Sequence, residues 1–589
     1  MDSLLADESV TRLPMFHTRG PYVSTSRQWL NFFGCLLTIP IYCLFATCSS
    51  FPCTLDLLLS IIACEYNRWS IQARRSHFYK SQSLPSSAGD PEKNTNTPTR
   101  TAPDCMAVVV GYREDSELFS RALESYRDAD GCKFLLIGVD GDNVPDRDMV
   151  AVFGRVYPEN SAVIHIDEPL ADIAMRTYGK LAAADDGDSE IWNEMTIAHC
   201  CRLARESLRD HDIVLGQPGG ITRLCVYEPH LHKRGIMFTS FIFSIVISDI
   251  LGIEFLWSSD SDSIVFPDSL RQTISVIAAD PNAGGASSGL IVHNTNHSIW
   301  TRFGRAVYWY ELYLARCPPT LSGTHDCQTG PSAVIRVAAL PGILYRWYAQ
   351  TILGTRMIVN EDRHLTTCLL MRGWTIKYAA DTLAATETPP TFTGWIMQQV
   401  RWARATHIET FQQPRLYTIN NPIFFWSALK REIGPLVVAA SVFFYLFTGR
   451  AVAYFSIYDV LYRIICTTLY NWIRNPDRGP RHSWAWVLPT LIFCTIPMPA
   501  IQIWGLLTVL DGGWGTAMRA GVESSKRHEF WTRWYNMGFL VLWMGVVGAT
   551  TCRLVANLAG WSQTGLYQAL VFGAILPSLA SFWALVVKG

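Results

Sequence analysis

The chain is short of charge. Asp, Glu, Lys and Arg make up 17% of its 589 residues, against 49% for the hydrophobic types. A soluble domain carries roughly 25% charged residues. With a mean hydropathy of +0.14, the shortage excludes a disordered chain and argues against a uniformly soluble one. A surplus of one sign is also missing. The 49 basic and 50 acidic residues leave a net charge of −1, so no global basic field recommends nucleic acid as a partner. No Cys-x-x-Cys pair occurs among the 16 cysteines, and Cys35, Cys43, Cys466 and Cys494 lie in apolar runs. That pattern fits buried thiols better than a zinc site or a disulfide framework.

The apolar residues are concentrated at the two ends. After a tail at 1–27, runs at 28–47 and 51–64 read as a helical hairpin over 28–66. A span needs about 20 residues, so the second run is short. Arg12, Arg19 and Arg27 precede the hairpin, and Arg68, Arg74, Arg75 and Lys80 follow it. Both flanks are therefore expected on the cytoplasmic side. The first run is too long for a cleaved signal peptide and lacks a small-residue cleavage pattern. Residues 67–104 read as a linker, rich in Ser, Pro, Asn and Thr from 81 onward. A second hairpin is expected over 433–473 and a third over 534–589. Between them, 484–510 is broken by Pro489, Pro497 and Pro499. Basic residues flank it on both sides: Arg478 and Arg481 before, Arg519, Lys526 and Arg527 after. The charge rule makes 474–533 an interfacial or re-entrant segment, for about six spans in all.

The middle, 105–392, is soluble in character. Residues 105–111, 134–139 and 253–257 are buried-strand runs. The first ends in Tyr112, Arg113, Glu114 and Asp115, the second in Asp140-Gly-Asp-Asn143. Strand–helix–strand with polar strand ends begins an open α/β sheet, whose ligands bind at that edge; ordinary turns would read the same way. The third run delivers Asp260 and Asp262. Two carboxylates at i and i+2 can share a hard divalent cation, Mg²⁺ or Mn²⁺, with nucleotide phosphates completing the shell. A lone Asp-x-Asp is more often a solvated turn. Asp362 opens a helical stretch, either complementing its dipole or acting as a general base. Gln398, Arg401 and Trp402 share one face of a helix starting near Thr393, for an acceptor or for lipid headgroups. The sequon Asn296-His-Ser298 falls in this region and is expected to stay unused.

Taken in order, Val108-Val-Val-Gly-Tyr-Arg-Glu-Asp115, Val139-Asp-Gly141, Asp260-Ser-Asp262, Glu361-Asp-Arg363 and Gln398-x-x-Arg401-Trp402 resemble the processive, membrane-embedded family 2 glycosyltransferases. That group holds the hyaluronan, chitin and cellulose synthases, and the resemblance covers nearly the whole chain. His232-Lys-Arg234, Asp326-Cys-Gln-Thr-Gly-Pro331, Asn360-Glu-Asp-Arg-His-Leu-Thr366 and Asp511-Gly-Gly-Trp-Gly-Thr516 point to the hyaluronan-synthase-like branch and its fungal relatives.

The resemblance implies a GT-A type α/β nucleotide-sugar-binding domain on the cytoplasmic face, over an α-helical transmembrane region. Acceptor-site helices would occupy 393–432. By this resemblance Tyr112 and Glu114 hold the uracil end of a UDP-sugar, and Asp140 makes a second nucleotide contact. Lys233 or Arg234 lies near the diphosphate. Asp260 and Asp262 bind Mg²⁺ or Mn²⁺, and Asp362 is the general base. Gln398, Arg401 and Trp402 meet the acceptor, and Cys327 lines its pocket. The implied enzyme inverts the anomeric carbon and polymerises sugar at the plasma membrane for the cell wall or surface. Its partners are a UDP-sugar donor, the growing polysaccharide and membrane lipid, with homo-oligomerisation left open.

Three departures leave the sugar open among UDP-N-acetylglucosamine, UDP-glucose and UDP-glucuronate. They are Ser332-Ala-Val-Ile-Arg336 after Pro331, Ala517-Met518 before Arg519, and Asn360. Rival readings are transfer of a single sugar to a lipid carrier, and a transporter or scaffold that needs no nucleotide.

Overall fold

The computed structural model describes residues 20, 22–48, 52–83, 103–184, 188–452, 456–475, 484–511 and 529–588. Outside these lie half of the expected linker (84–102), residues 512–516 of the Asp511–Thr516 motif, and Arg12, Arg19, Arg478, Arg481, Arg519, Lys526 and Arg527. The chain divides into two units. The first comprises Met1–Val23, Glu65–Leu290 and Gly323–Thr386; the second comprises Ser24–Cys64, Ile291–Ser322 and Glu387–Gly589.

The first unit is built on a mixed sheet. Its strands are β1 (Cys105–Gly111), β2 (Cys132–Asp140), β3 (Ser161–His165), β4 (Arg223–Glu228), β5 (Phe255–Asp260), β6 (Ile264–Val265), β7 (Ala283–Val292), β8 (Ala333–Arg336) and β11 (Thr375–Thr386). A separate two-stranded ribbon pairs β9 (Thr351–Ile352) with β10 (Thr355–Arg356). The sheet order is β3-β4-β2-β1-β5-β8-β7-β11-β6. From β3 to β5 every pairing is parallel, and β8 pairs antiparallel with both β5 and β7. Strands β1 and β2 are almost unbroken runs of buried residues, as parallel strands covered on both faces must be. β1 has β2 on one side and β5 on the other, so the sheet reverses its strand order there. The C-terminal edge at such a point is where ligands bind.

One covering helix, Lys233–Leu251, is 19 residues long with a hydropathy of 1.6, enough to cross a membrane by composition, yet 83% of it is buried inside the fold. It packs on β1 and β2. Gly138 permits the approach, since a Cβ there would collide with Ser240 Oγ. This helix is apolar all round because it is a core helix.

The second unit is helical. Among the described residues, Thr25–Phe45, Pro422–Thr448, Phe530–Ala559 and Gln563–Val587 are long and apolar enough to span a bilayer. Val487–Thr495 and Pro497–Leu507 form a bent pair at 42°, either a broken span or a re-entrant loop. The expected spans at 51–64 and 451–473 fall on helices Pro52–Ser83 and Ile457–Arg474, and neither passes the same test among the described residues. In the first, the apolar run ends before Arg68, Arg74 and Arg75. The second is inside-out. Tyr458, Tyr462, Ile465, Leu469 and Trp472 form an exposed stripe, while Asp459, Thr467, Tyr470 and Asn471 are buried. From the same helix, Arg463 donates to the Tyr310 hydroxyl at 2.8 Å. Average hydropathy fails on such a helix because its polar half faces protein.

Candidate active site

The polar ends of the parallel strands assemble the site. After β1 the chain turns through Arg113 in the left-handed region (φ 46). Arg113 Nε pairs with the buried Asp146 Oδ1 at 2.6 Å, which fixes the turn. Glu114 then points inward and is buried. One carboxylate oxygen accepts from Ser261 Oγ at 2.7 Å, the other from the Asp115 amide at 3.1 Å. Asp115 caps the next helix, Ser116–Glu124, by accepting from the Glu117 and Leu118 amides. The turn after β1 is thus tied to the loop between Asp260 and Asp262.

At the end of β2, Asp140 is 1% exposed. Its Oδ1 accepts from the Leu231 amide at 2.9 Å, and its Oδ2 lies 3.0 Å from His230 Nδ1. The His230 ring stacks on Tyr112 with centroids 4.3 Å apart and 19° between planes. Across the register from Asp140 is Glu228, fully buried at the end of β4 and hydrogen-bonded by Thr239 Oγ1 at 2.7 Å. Burial, reinforced by the Asp140 charge, pushes the Glu228 carboxyl up to about 8.

Lys233 is the first residue of helix Lys233–Leu251, which His232 caps by accepting from the Gly235 amide. Burial, then the nearby Arg356 guanidinium, bring the His232 imidazole down to about 4. Lys233 Nζ lies 2.7 Å from Asp260 Oδ1 and 2.9 Å from Glu361 Oε1. Burial alone would lower its pKa, but those two carboxylates outweigh burial and hold the ammonium charged. Glu361 and Asp362 open helix Glu361–Met371, and Asp362 Oδ1 accepts from the Arg363 amide at 2.7 Å. Asp262 Oδ1 accepts from Ser263 Oγ at 3.1 Å.

Arg234 is elsewhere. It is fully buried over the Trp347 ring. Its guanidinium donates to the Met357 carbonyl, to Gln350 Oε1 at 3.1 Å and to Asn360 Oδ1 at 3.4 Å. Of the two basic candidates, Lys233 is the one beside the acidic cluster. Arg234 braces the chain that leads into Asp362.

In the second unit, Gln398, Arg401 and Trp402 lie on helix Phe392–Gln412, capped by Thr391. Tyr308 joins their face: its hydroxyl donates to Gln398 Oε1 at 3.4 Å, and its ring lies 5.7 Å from Trp402. The opposite side of the helix packs on Pro497–Leu507. A Cβ on Gly505 would stand 2.6 Å from the Ala403 side chain.

Residues 250–405 match the family described as glycosyltransferase like family 2. The chain carries a family 2 glycosyltransferase domain. Hyaluronan synthase 2 of Rattus norvegicus is 22% identical over 437 residues, 73% of this chain and 72% of that protein. Hyaluronan synthase 3 of Homo sapiens is 26% identical over 418 residues, 70% and 69% of the two chains. Among solved structures, the Pyrobaculum calidifontis mannosyltransferase PcManGT, in complex with GDP-Man and Mn²⁺, is 12% identical. It covers 74% of this chain and 98% of its own, with a TM-score of 0.35.

The mixed sheet of this glycosyltransferase, parallel through β5 and antiparallel beyond, is GT-A-like. Two residues of the candidate site escaped sequence reasoning. His230 had no local signal. Glu361 lies in Glu361-Asp-Arg363, where the expected base is its neighbour Asp362. Only the contact with Lys233, 128 residues earlier in the chain, gives Glu361 a role.

Proposed function

We propose that this glycosyltransferase is inverting and processive, polymerising a sugar from a UDP-sugar at the cytoplasmic face and extruding the polysaccharide across the plasma membrane. The observation that carries the reading is the cluster at the C-terminal edge of the parallel strands. There Lys233 joins Asp260 to Glu361, next in sequence to Asp362. Similarity to the hyaluronan synthases supports a polymer product.

In this reading Tyr112, braced by His230, offers a ring to the uracil. Glu114 and Asp140 shape that pocket from beneath, their oxygens being engaged by the chain's own donors. The leaving diphosphate gains charge as the glycosidic bond breaks, and Lys233 neutralises it. Asp362 takes the proton from the acceptor hydroxyl, a poor nucleophile until that proton is lost. With one base and no protein nucleophile, the acceptor attacks in line and the anomeric configuration inverts. Gln398 and Trp402 orient the acceptor sugar, the indole by stacking. The buried polar face of helix Ile457–Arg474 suits a sugar path better than a lipid contact.

A divalent ion, Mg²⁺ or Mn²⁺, suits Asp260 and Asp262, which are hard oxygen donors at a strand end. A Cβ at position 330 would stand 3.3 Å from Asp260 Oδ2, so Gly330 keeps that carboxylate open on one side. Among the described residues no group of three His, Cys, Asp or Glu could hold a metal, so diphosphate oxygens and water would complete the shell. The ion's chemistry there is Lewis-acid stabilisation of the leaving diphosphate.

Purified protein incubated with each UDP-sugar and Mg²⁺ or Mn²⁺ tests the proposal, reading UDP release and product size. Metal-dependent UDP release with long products is expected. A product one sugar longer than a lipid acceptor would overturn processivity. Absence of UDP release with every donor would overturn the activity.

A further inference from the structure

Lys233 stands where two functions of the site compete. Its ammonium is 2.7 Å from Asp260 and 2.9 Å from Glu361, so it occupies one of the oxygens a divalent ion would use. It is also the first residue of helix Lys233–Leu251. A cation at a helix N-terminus is disfavoured by the backbone dipole, and the two carboxylates offset that cost. An anion arriving at this helix end is favoured by the dipole and the lysine together. A divalent ion arriving alone must share Asp260 with a positive charge. When a diphosphate comes with the ion, Lys233 gains a new anionic partner in place of Asp260, which is released. Glu361 stays within reach of the ammonium throughout and keeps it at the site.

We infer that Lys233 is a stand-in cation, which fills the metal position on Asp260 until a nucleoside diphosphate draws it away, so that divalent ion and diphosphate bind interdependently. The inference rests on the donor-site reading above. It makes Lys233 a positioning residue for both ligands. It also ties the strand carrying Asp260 to the helix carrying Asp362, because Glu361 is the residue before that base. Coupling of this kind is reciprocal: whatever factor UDP adds to ion affinity, the ion adds to UDP affinity.

The test is titration of Mn²⁺ into the full chain in detergent, with free ion read by electron paramagnetic resonance, with and without UDP. The signal counted is the part lost in Asp262→Ala. In the wild type, UDP is expected to tighten Mn²⁺ binding by roughly tenfold, a typical coupling factor. In Lys233→Met, Mn²⁺ alone should bind roughly tenfold tighter than in the wild type, and the added effect of UDP should largely vanish. Lys233→Arg, which keeps the charge, should retain most of the coupling. Lys233→Gln is the second variant if the methionine disturbs folding, which the melting temperature reports. Mn²⁺ affinity unchanged in both neutral variants, with UDP still binding, would overturn the inference and leave the donor-site reading standing. A wild type that binds neither Mn²⁺ nor UDP would overturn that reading, and the inference with it.

Discussion

Glu228 and Asp362 are carboxylates with different roles and different surroundings. Glu228 is buried at the end of β4 and its pKa rises to about 8 from an ordinary 4.5, first through burial and then through Asp140. Between those values the folded chain holds a proton that the unfolded chain has lost. Stability from this group is therefore present at low pH and declines as pH rises toward about 8. Glu228→Gln keeps an acceptor for Thr239 and removes the titration. Its melting temperature should match the wild type near pH 5, and at pH 9 exceed it by about 2–4 °C for each kcal/mol of penalty relieved. Identical differences at both pH values would contradict the assignment. Asp362 is the proposed base. Asp362→Asn should bind UDP as the wild type does while polymer formation falls by about 10²- to 10⁴-fold. Normal synthesis by that variant would remove Asp362 from the role of base.

Individual elements show how far the sequence could be read. β1, β2 and β5 were legible because parallel strands buried on both faces appear as unbroken apolar runs, and their polar ends marked the ligand edge. β8 and the ribbon of β9 and β10 were not. They are two to four residues long, too short for any periodic signal. Helix Lys233–Leu251 was also missed, since an apolar helix with no polar stripe has no amphipathic pattern to show. Its cap carries a pH dependence of its own. His232 titrates near 4 when folded, against an ordinary 6.5, so the unfolded chain binds the extra proton between those values. The stability it contributes is intact above about 6.5 and is lost as pH falls toward 4. Asn is also a good cap, and His232→Asn should flatten that part of the stability–pH curve, measured by chemical denaturation from pH 7 to pH 4. The helix that carries Gln398, Arg401 and Trp402 depends on Gly505 for its close approach to Pro497–Leu507. Gly505→Val should cost about 1–3 kcal/mol and depress polymer synthesis while leaving UDP affinity unchanged. A loss of UDP binding in step with synthesis would show that the helix serves the donor instead.

At the scale of the whole molecule, the low overall charge resolves into two different materials. The first unit puts its apolar residues in a core between sheet and helices, and the second displays them on long helices. The units do not follow simple chain order, since Ile291–Ser322 belongs to the helical one, and the contacts that matter most were out of the sequence's reach. Lys233 meets Glu361 across 128 residues and Asp260 across 27, and no local pattern encodes either pairing. Asn296-His-Ser298 falls in the second unit, within Ile291–Ser322, and the proposed cytoplasmic placement leaves the sequon unused. Ser298 caps helix Ile299–Tyr308 and donates to the Pro390 carbonyl at 2.7 Å. Asn296→Gln should leave the electrophoretic mobility of protein from a glycosylating host unchanged. A faster-running variant would place this segment on the far side of the membrane.

Helix Lys233–Leu251 has a consequence for how the chain is made. To insertion machinery that recognises stretches by length and apolarity, it offers the same credentials as a true crossing. Were it inserted, every segment synthesised after it would be born on the wrong side, Asp362 among them. β1 and β2, against which it packs, leave the ribosome about a hundred residues earlier. Under the proposed cytoplasmic placement, those strands would be available to claim the helix before the bilayer does, and the order of synthesis would protect the orientation of the finished enzyme.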